Sequence, residues 1–411
     1  MSEQPLSEQP LNGQLMAGPA CVIADDAEAL ATAAKLAAGF AGSAPDRDAR
    51  RLLPYDEIEA LSASGLLAAS VPREYGGAGI RASTLAEVLR LLAVADPSIA
   101  QIPQSHFVYV SVLVQQGTED QKRFFLGEVL AGRRLGNAQS ERGSTHAQDY
   151  RTTLIPGPDG GHILDGTKFY CTGALFADWI PVLAKNPDGN LVVAYVPAGA
   201  PGLTVIDDWD GLGQRTTASG TVQLDGVRVP AEHVVPHHLT FTGPQLHGAQ
   251  AQLLHAAIDV GIARAALTEA AEFVRTKSRP WPDSGQASAA GDPLTIQRFG
   301  ELEIRVRAAE ALLAEAGRAV DAAAAHLDEH TAAAASIAVA TAKAFADPVS
   351  VEVSSAVFEI SGTRSALRSL NLDRHWRNAR THTLHDPVRW KVQHIGRYAL
   401  NGTLPPRHGL L

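Results

Sequence analysis

The chain has 411 residues, enough for two or three domains around a substantial core. A formal net charge of −9, with 45% hydrophobic and 19% charged residues, describes an acidic globular protein and argues against nucleic-acid binding through a basic surface. No run of 18 apolar residues offers a membrane span, no secretory signal is visible at the start, and the two cysteines, Cys21 and Cys171, exclude a disulfide framework, so a reducing cytoplasm is the expected setting.

Residues 1–20 repeat SEQPL and are expected to form a loosely packed polar tail. Residues 21–134 read as an N-terminal α-helical domain, rich in helix formers from Asp25 onward and interrupted by a turn at Gly76, Gly77 and Gly79. That turn lacks the Lys-Ser/Thr of a phosphate-binding loop. His106 and Tyr109 lie one helical turn apart, which suits a core helix with its polar tips satisfied. In residues 135–240 Val, Ile, Thr, Gly and Pro dominate. HILDGTKFYCTG, WIPVLA, NLVVAYVP, GLTVIDDW and SGTVQLDGVRVP predict a central β domain, a small barrel or sandwich. Residues 241–395 return to long alanine-rich helices with short connections, a C-terminal four-helix bundle, and 396–411 form a Pro-rich tail.

One stretch stands out from this background. Asn371–Lys391 gathers three histidines, two tryptophans and two aspartates among its arginines. Asn378, His382 and His385 step by four and three, so a helix would carry them on one face. Pro387 would end that helix at about His385, leaving two imidazoles and Asp386 at its mouth. Such a group suits acid/base chemistry; it equally suits a metal site or a buried arginine–histidine network holding a helix end.

Helices, a small β domain and then a helix bundle is an unusual order. The chain resembles the acyl-CoA dehydrogenase superfamily from about Asp25 to its C-terminus. NAQSERGS (Asn137–Ser144) stands where that superfamily has a flavin-contacting strand and loop. DGTKFYCTG (Asp165–Gly173) is similar to its next flavin strand. WRNARTHTLHDP (Trp376–Pro387) stands where the dehydrogenases carry their catalytic carboxylate turn. Three departures argue against an acyl-CoA substrate and for FMN over FAD. Histidines crowd Asp386, Ser144-Thr145-His146 replaces a coenzyme A-binding segment, and FEISG (Phe358–Gly362) lacks a Gln-x-x-Gly-Gly that supports adenylate. IPQSH, GTKFYCTGALFADW, DDWDGLGQRTTASGTV, RPW, LDRHWRNARTHTLHDPVRWK and PPRHG are closer to a monooxygenase branch, the dibenzothiophene monooxygenases and the bacterial sulfur-acquisition oxidoreductases of dimethyl sulfone use.

That resemblance implies a two-component enzyme. Reduced FMN would come from a separate NAD(P)H-dependent reductase, and this chain has no GxGxxG opening a βαβ unit. Oxygen would add at flavin C4a, and the peroxide would oxygenate a small sulfone, sulfoxide or thioether in sulfur acquisition. His385, His382 and His106 are the expected proton-handling residues, with Asp386 or Asn378 orienting an imidazole. Asn137, Gln139, Ser140, Tyr170 and Thr172 would hold the flavin ring, with Tyr109 and Trp209 towards the substrate. Lys277, Arg279, Trp281, Gly362 and Arg364 would reach the phosphate from a neighbouring chain, which implies a homo-oligomer, a tetramer by family expectation. The tail, with His408, is expected over a neighbour's pocket as a lid, and no metal is expected. The rival readings are an FAD-dependent acyl-CoA dehydrogenase and a non-catalytic flavin-binding protein on the same fold.

Overall fold

A computed structural model describes residues 20–143 and 149–411. The repeat in residues 1–19 and Ser144, Thr145 and His146 lie outside the described residues.

Seven helices come first: α1 (Asp26–Ala41), α2 (Ala44–Arg50), α3 (Tyr55–Ala63), α4 (Ala82–Ala95), α5 (Pro97–Gln101), α6 (Gln104–Gln116) and α7 (Glu119–Leu130). Their starts follow local chemistry. The Asp25 carboxylate accepts from the Glu28 amide, Asp96 caps α5 ahead of Pro97, and Thr118 and Gln121 form a capping box on α7. Leu85, Val88, Leu89 and Leu92 give α4 a buried stripe at helical spacing. In the glycine turn before α4, a side chain at Gly77 would sit 2.1 Å from the Val71 carbonyl, so the loop needs glycine for close approach.

The central region is a seven-stranded sheet in the order β5-β6-β2-β1-β3-β4-β7. Its strands are β1 (Thr153–Pro156), β2 (His162–Lys168), β3 (Trp179–Lys185), β4 (Leu191–Pro197), β5 (Leu203–Ile206), β6 (Thr221–Val229) and β7 (Val234–Val235). Among the described residues every pair of these strands is antiparallel except β1 with β3. The period-two rule is plain on β4: Val193 and Tyr195 join a cluster with Val112, Leu113 and Phe125 of α6 and α7, while Val192, Ala194 and Val196 join the cluster on the opposite face. Lys168, fully buried, is 2.7 Å from Glu141, and its ammonium with the Thr152 hydroxyl and amide outweighs burial to hold that carboxyl at about 2.

Five helices follow: α8 (His247–Thr276), α9 (Pro293–Ala325), α10 (Glu329–Ser361), α11 (Asp373–His382) and α12 (Val388–Asn401). Small residues let them close up. A side chain at Gly261 of α8 would lie 2.5 Å from the Ala93 side chain of α4. Two expectations are corrected here. Helix α11 ends at His382, not His385, because the chain turns at Thr383 and Leu384 ahead of the proline-restricted Asp386. Helix α12 runs to Asn401, well past residue 395. The tail returns to its own chain: Gly248 at the head of α8 lies so close to the His408 and Leu411 carbonyls that a side chain there would collide with both.

Candidate active site

The stretch 371–391 divides into two halves. The first is a structural ion network. His375 Nε2 stands 2.7 Å from Glu269, Arg377 bonds Asp48 at 2.6 Å and Asp373 at 2.8 Å, and Asn371 donates to Asp48 at 2.8 Å. These contacts tie α11 to α2 and α8, which is the buried arginine–histidine network that the composition allowed for.

The second half points into the bundle. His382 is 4% exposed, and its Nδ1 is 2.6 Å from Asp259 on α8. Its Nε2 is 3.0 Å from Gln101 Oε1 at the end of α5 and 3.2 Å from His255 Nδ1 on α8. Asp259, fully buried, also faces the Lys343 ammonium of α10 at 3.3 Å, and Lys343 reaches Asp347 at 3.0 Å. Burial alone would raise the Asp259 carboxyl, but the His382 imidazole and Lys343 ammonium beside it outweigh burial and hold it low. Asp347 is raised, by burial and then by its neighbour Asp259.

His385 sits outside the helix on the following turn. Its side chain is 43% exposed, yet one ring face is covered by His255, with centroids 3.8 Å apart and planes 37° apart. Nδ1 is 3.8 Å from Asp386, and Nε2 has no hydrogen-bond partner among the described residues. Crowding on the covered side lowers the His385 pKa, against the opposing pull of Asp386. Asp386 is buried, 3.0 Å from the Lys391 ammonium, and Lys391 donates to the Leu410 carbonyl at 2.9 Å.

A second wall comes from the sheet and α6. Tyr170 holds a left-handed backbone (φ 58°) and an exposed ring. A non-glycine residue in that conformation marks a local constraint. The Asn137 amide spans the gap, accepting from the Tyr109 hydroxyl and donating to the Tyr170 carbonyl, both at 3.3 Å. Thr172, Ser219 and Thr217 form a hydroxyl chain with 2.7 Å links. Trp209 lies 6.3 Å from Tyr170, edge to face, and donates to the Gln214 carbonyl. The Gln214 amide nitrogen donates to Asn378 Oδ1 at 2.6 Å, and its buried side-chain amide bonds to nothing among the described residues. Contacts therefore run unbroken from Tyr109 through Asn137, Tyr170, Trp209 and Gln214 to α11, whose next turn carries His382. Asn378 pins this loop; it touches no imidazole. Of the remaining two ring candidates, the Gln139 side-chain amide donates to the Tyr150 hydroxyl, and the Ser140 main-chain carbonyl accepts from the Phe169 amide.

The phosphate candidates sit elsewhere. Lys277 lies 22 residues beyond His255, about 33 Å along α8. There Arg364 donates to the Lys277 carbonyl, Ser278 donates to the Ser361 carbonyl beside Gly362, and Trp281 is 69% exposed. Arg279 has no bonding partner among the described residues. One chain thus keeps these two sets of candidates apart.

Residues 25–133, 138–227 and 253–390 match the family models for the N-terminal, middle and C-terminal domains of acyl-CoA dehydrogenase. A dibenzothiophene monooxygenase of Rhodococcus qingshengii is 35% identical over 93% of this chain and 95% of its own. The chain belongs to the acyl-CoA dehydrogenase family. Within that family it falls in the monooxygenase branch. The probable FMNH2-dependent monooxygenase SfnC of Pseudomonas putida is 34% identical over 92% of this chain and 96% of its own. The crystal structure of FMN-bound TdsC from Paenibacillus sp. A11-2 superposes with a TM-score of 0.88 at 34% identity, covering 93% of this chain and all of that one.

Against this family frame, His106 departs from expectation. Its Nε2 bonds the Leu67 carbonyl at 2.9 Å and its Nδ1 accepts from the Leu135 amide at 3.0 Å. Both ring nitrogens are used by main chain, and burial lowers its pKa to about 4, so it braces the helical domain against the sheet as a neutral ring. Four residues of the site escaped the sequence reading: Gln101, His255, Asp259 and Lys343. A signal was present. His255 and Asp259 on α8, and Lys343 and Asp347 on α10, are two i,i+4 polar pairs inside alanine-rich helices, a spacing that puts each pair on one face. A cavity of about 200 Å³ is lined by Phe107, Val110, Val114, Leu253 and Leu254 with Ser111 and Gln250, and none of His255, His382, His385, Asn137 or Thr172 lines it.

Proposed function

We propose that this chain is an FMNH2-dependent monooxygenase that oxygenates a small organosulfur compound, a sulfone, sulfoxide or thioether. A separate NAD(P)H-dependent reductase supplies the reduced flavin. The observation that carries the reading is His385: a half-open imidazole, backed by His255 and flanked by Asp386, stands where the dehydrogenases keep a carboxylate that removes a proton.

The residues present fit a planar flavin. The left-handed Tyr170 turn, the exposed Tyr170 ring and the Thr172–Ser219 hydroxyls offer one wall with donors and acceptors at its rim, and Asn137 fixes the strand beside it. Asn137, Tyr170 and Thr172 would hold the ring. When bound, reduced FMN supplies the two electrons with which O2 is divided between product and water. The chain supplies the rest. His385 Nε2 is free to offer or accept a proton at the open face, and Asp386, itself held by Lys391, faces Nδ1. His382, fixed by Asp259 and Gln101, keeps the helix end in place behind it. Trp209 and the Gln214 loop limit water access from the sheet side. The phosphate would be held by Lys277 and Arg279, with Gly362 and Arg364 beside them, from another copy of the chain. Their distance along α8 from His255 supports an oligomeric working unit, for which our reading is a tetramer.

The test is oxygen uptake by the chain with photoreduced FMN and a panel of sulfones, sulfoxides and thioethers. Substrate-dependent formation of an oxygenated product is expected. Oxidation of a fatty acyl-CoA with tightly held FAD, and no oxygenated product from any sulfur compound, would sink the proposal in favour of a dehydrogenase.

A further inference from the structure

His255 occupies a place that neither the family motifs nor the catalytic turn accounts for. It sits on α8, 2% exposed, 127 residues before its hydrogen-bond partner His382. It touches both histidines of the turn, each in a different way. Towards His382 it presents an edge, Nδ1 to Nε2 at 3.2 Å. Towards His385 it presents a face, at 3.8 Å. We infer that His255 is a positioning residue with two separable jobs: its ring seats His385, and its Nδ1–H donates to Nε2 of the His382 tautomer that Asp259 sets.

The tautomer argument rests on donors and acceptors. A carboxylate only accepts, so Asp259 at 2.6 Å places a proton on His382 Nδ1. Neutral His382 then has a lone pair on Nε2, which needs a donor. The Gln101 oxygen at 3.0 Å cannot donate, whereas His255 Nδ1–H can. If His382 takes a second proton, on Nε2, the Gln101 oxygen becomes its acceptor. Gln101 and His255 between them therefore serve both protonation states of one imidazole.

The seating argument rests on rigidity. Leu253, Leu254, Ala256, Ala257 and Ile258 around His255 are each 3% exposed or less, so the ring is held by packed helix, while His385 stands on an open turn between His382 and Pro387. A fixed ring under a half-exposed one restricts it at little entropic cost. The groups facing His255 are His382 of α11 and His385 of the turn, Lys343 of α10 and Lys391 of α12, with Asp259 one turn along α8. Burial and these neighbours, mostly positive or neutral, keep His255 itself neutral, as both jobs require.

This role rests on the proposed proton handling at His385, and the test separates the two. His255→Phe keeps a flat ring under His385 and removes the donor to His382. His255→Asn keeps a donor near the Nδ1 position and removes the ring. Nitrogen NMR of the flavin-free chain, with only its histidines labelled, reads tautomer and titration directly. In His255→Phe the Nδ1–H tautomer of His382 should persist, held by Asp259, while its unprotonated Nε2 signal moves downfield on losing its donor and the His385 midpoint stays in place. In His255→Asn the His382 Nε2 signal should stay in place while the His385 midpoint rises by roughly one pH unit as its covered face opens to water. With reduced FMN, hydrogen peroxide per oxygen consumed should rise several-fold in His255→Asn. Should neither variant fold, Gln101→Leu leaves His255 intact and should leave the His382 Nε2 signal where its donor from His255 puts it; a downfield move of that signal would overturn the assignment. So would both His255 variants leaving both signals unmoved, or both moving the two signals alike. Failure of sulfur oxygenation with these NMR shifts intact would reject the function and keep the positioning role.

Discussion

His106 and His382 are buried to nearly the same degree, 1% and 4% exposed, and both were expected at the site. Their partners differ in kind. His106 is bonded by a carbonyl and an amide of the main chain, groups that cannot change charge. His382 is bonded by Asp259, Gln101 and His255, and Asp259 leads on to Lys343 and Asp347. Burial does not distinguish a histidine in an ionisable network from one braced by main chain; what distinguishes them is whether the partners can answer a proton. Around His106 a proton has nowhere to go. Around His382 every contact but the amide of Gln101 is itself ionisable.

The comparison breaks first at Asp259. Asp259→Ala would leave Lys343 with Asp347 alone and His382 Nδ1 without an acceptor, so urea unfolding should show a loss of about 3–5 kcal/mol. A loss below about 1 kcal/mol would mean that the network is not held as described. His106→Ala should cost about 2–4 kcal/mol through its cavity and two unpaired main-chain groups, while product per oxygen consumed by the folded enzyme stays near wild type.

Acid sharpens the contrast. His106 is held at about 4, below an unfolded value near 6.5, so the unfolded chain takes up the proton first. Its contribution is present in full above about pH 6.5 and is lost as pH falls towards 4, by about 3 kcal/mol in total. His106→Phe should remove that part of the slope in unfolding curves collected between those pH values. The smallest expected effect is at the tail. Deleting residues after Asn401 removes the Leu410 carbonyl from Lys391, which should cost about 1 kcal/mol and raise peroxide release, since Lys391 also holds Asp386. Stability and coupling both unchanged would show that the tail is merely attached.

Much of this fold was legible before any coordinates. The helix–sheet–helix order follows from composition and period, and the motif around His382–Pro387 closes α11 against α8. Legibility stopped where meaning depends on long-range contact. Asp259 and Lys343 are single polar residues in alanine-rich helices; nothing local says that α8 and α10 bring them together. The end of α11 was misplaced by three residues because Pro387 announces a break without saying how early the turn begins. The Arg377 and His375 network was readable as composition, and the structure alone separates it from the imidazoles one turn away.

The central claim is that His385 handles the proton on which oxygen transfer depends. The direct measurement is the ratio of oxygenated sulfur product to hydrogen peroxide, with photoreduced FMN supplied, in wild type and His385→Ala. Being half exposed, His385 should be removable with little loss of stability, so a fall in the ratio of roughly tenfold or more in a fully folded variant is predicted. An unchanged ratio at the wild-type rate would contradict the account.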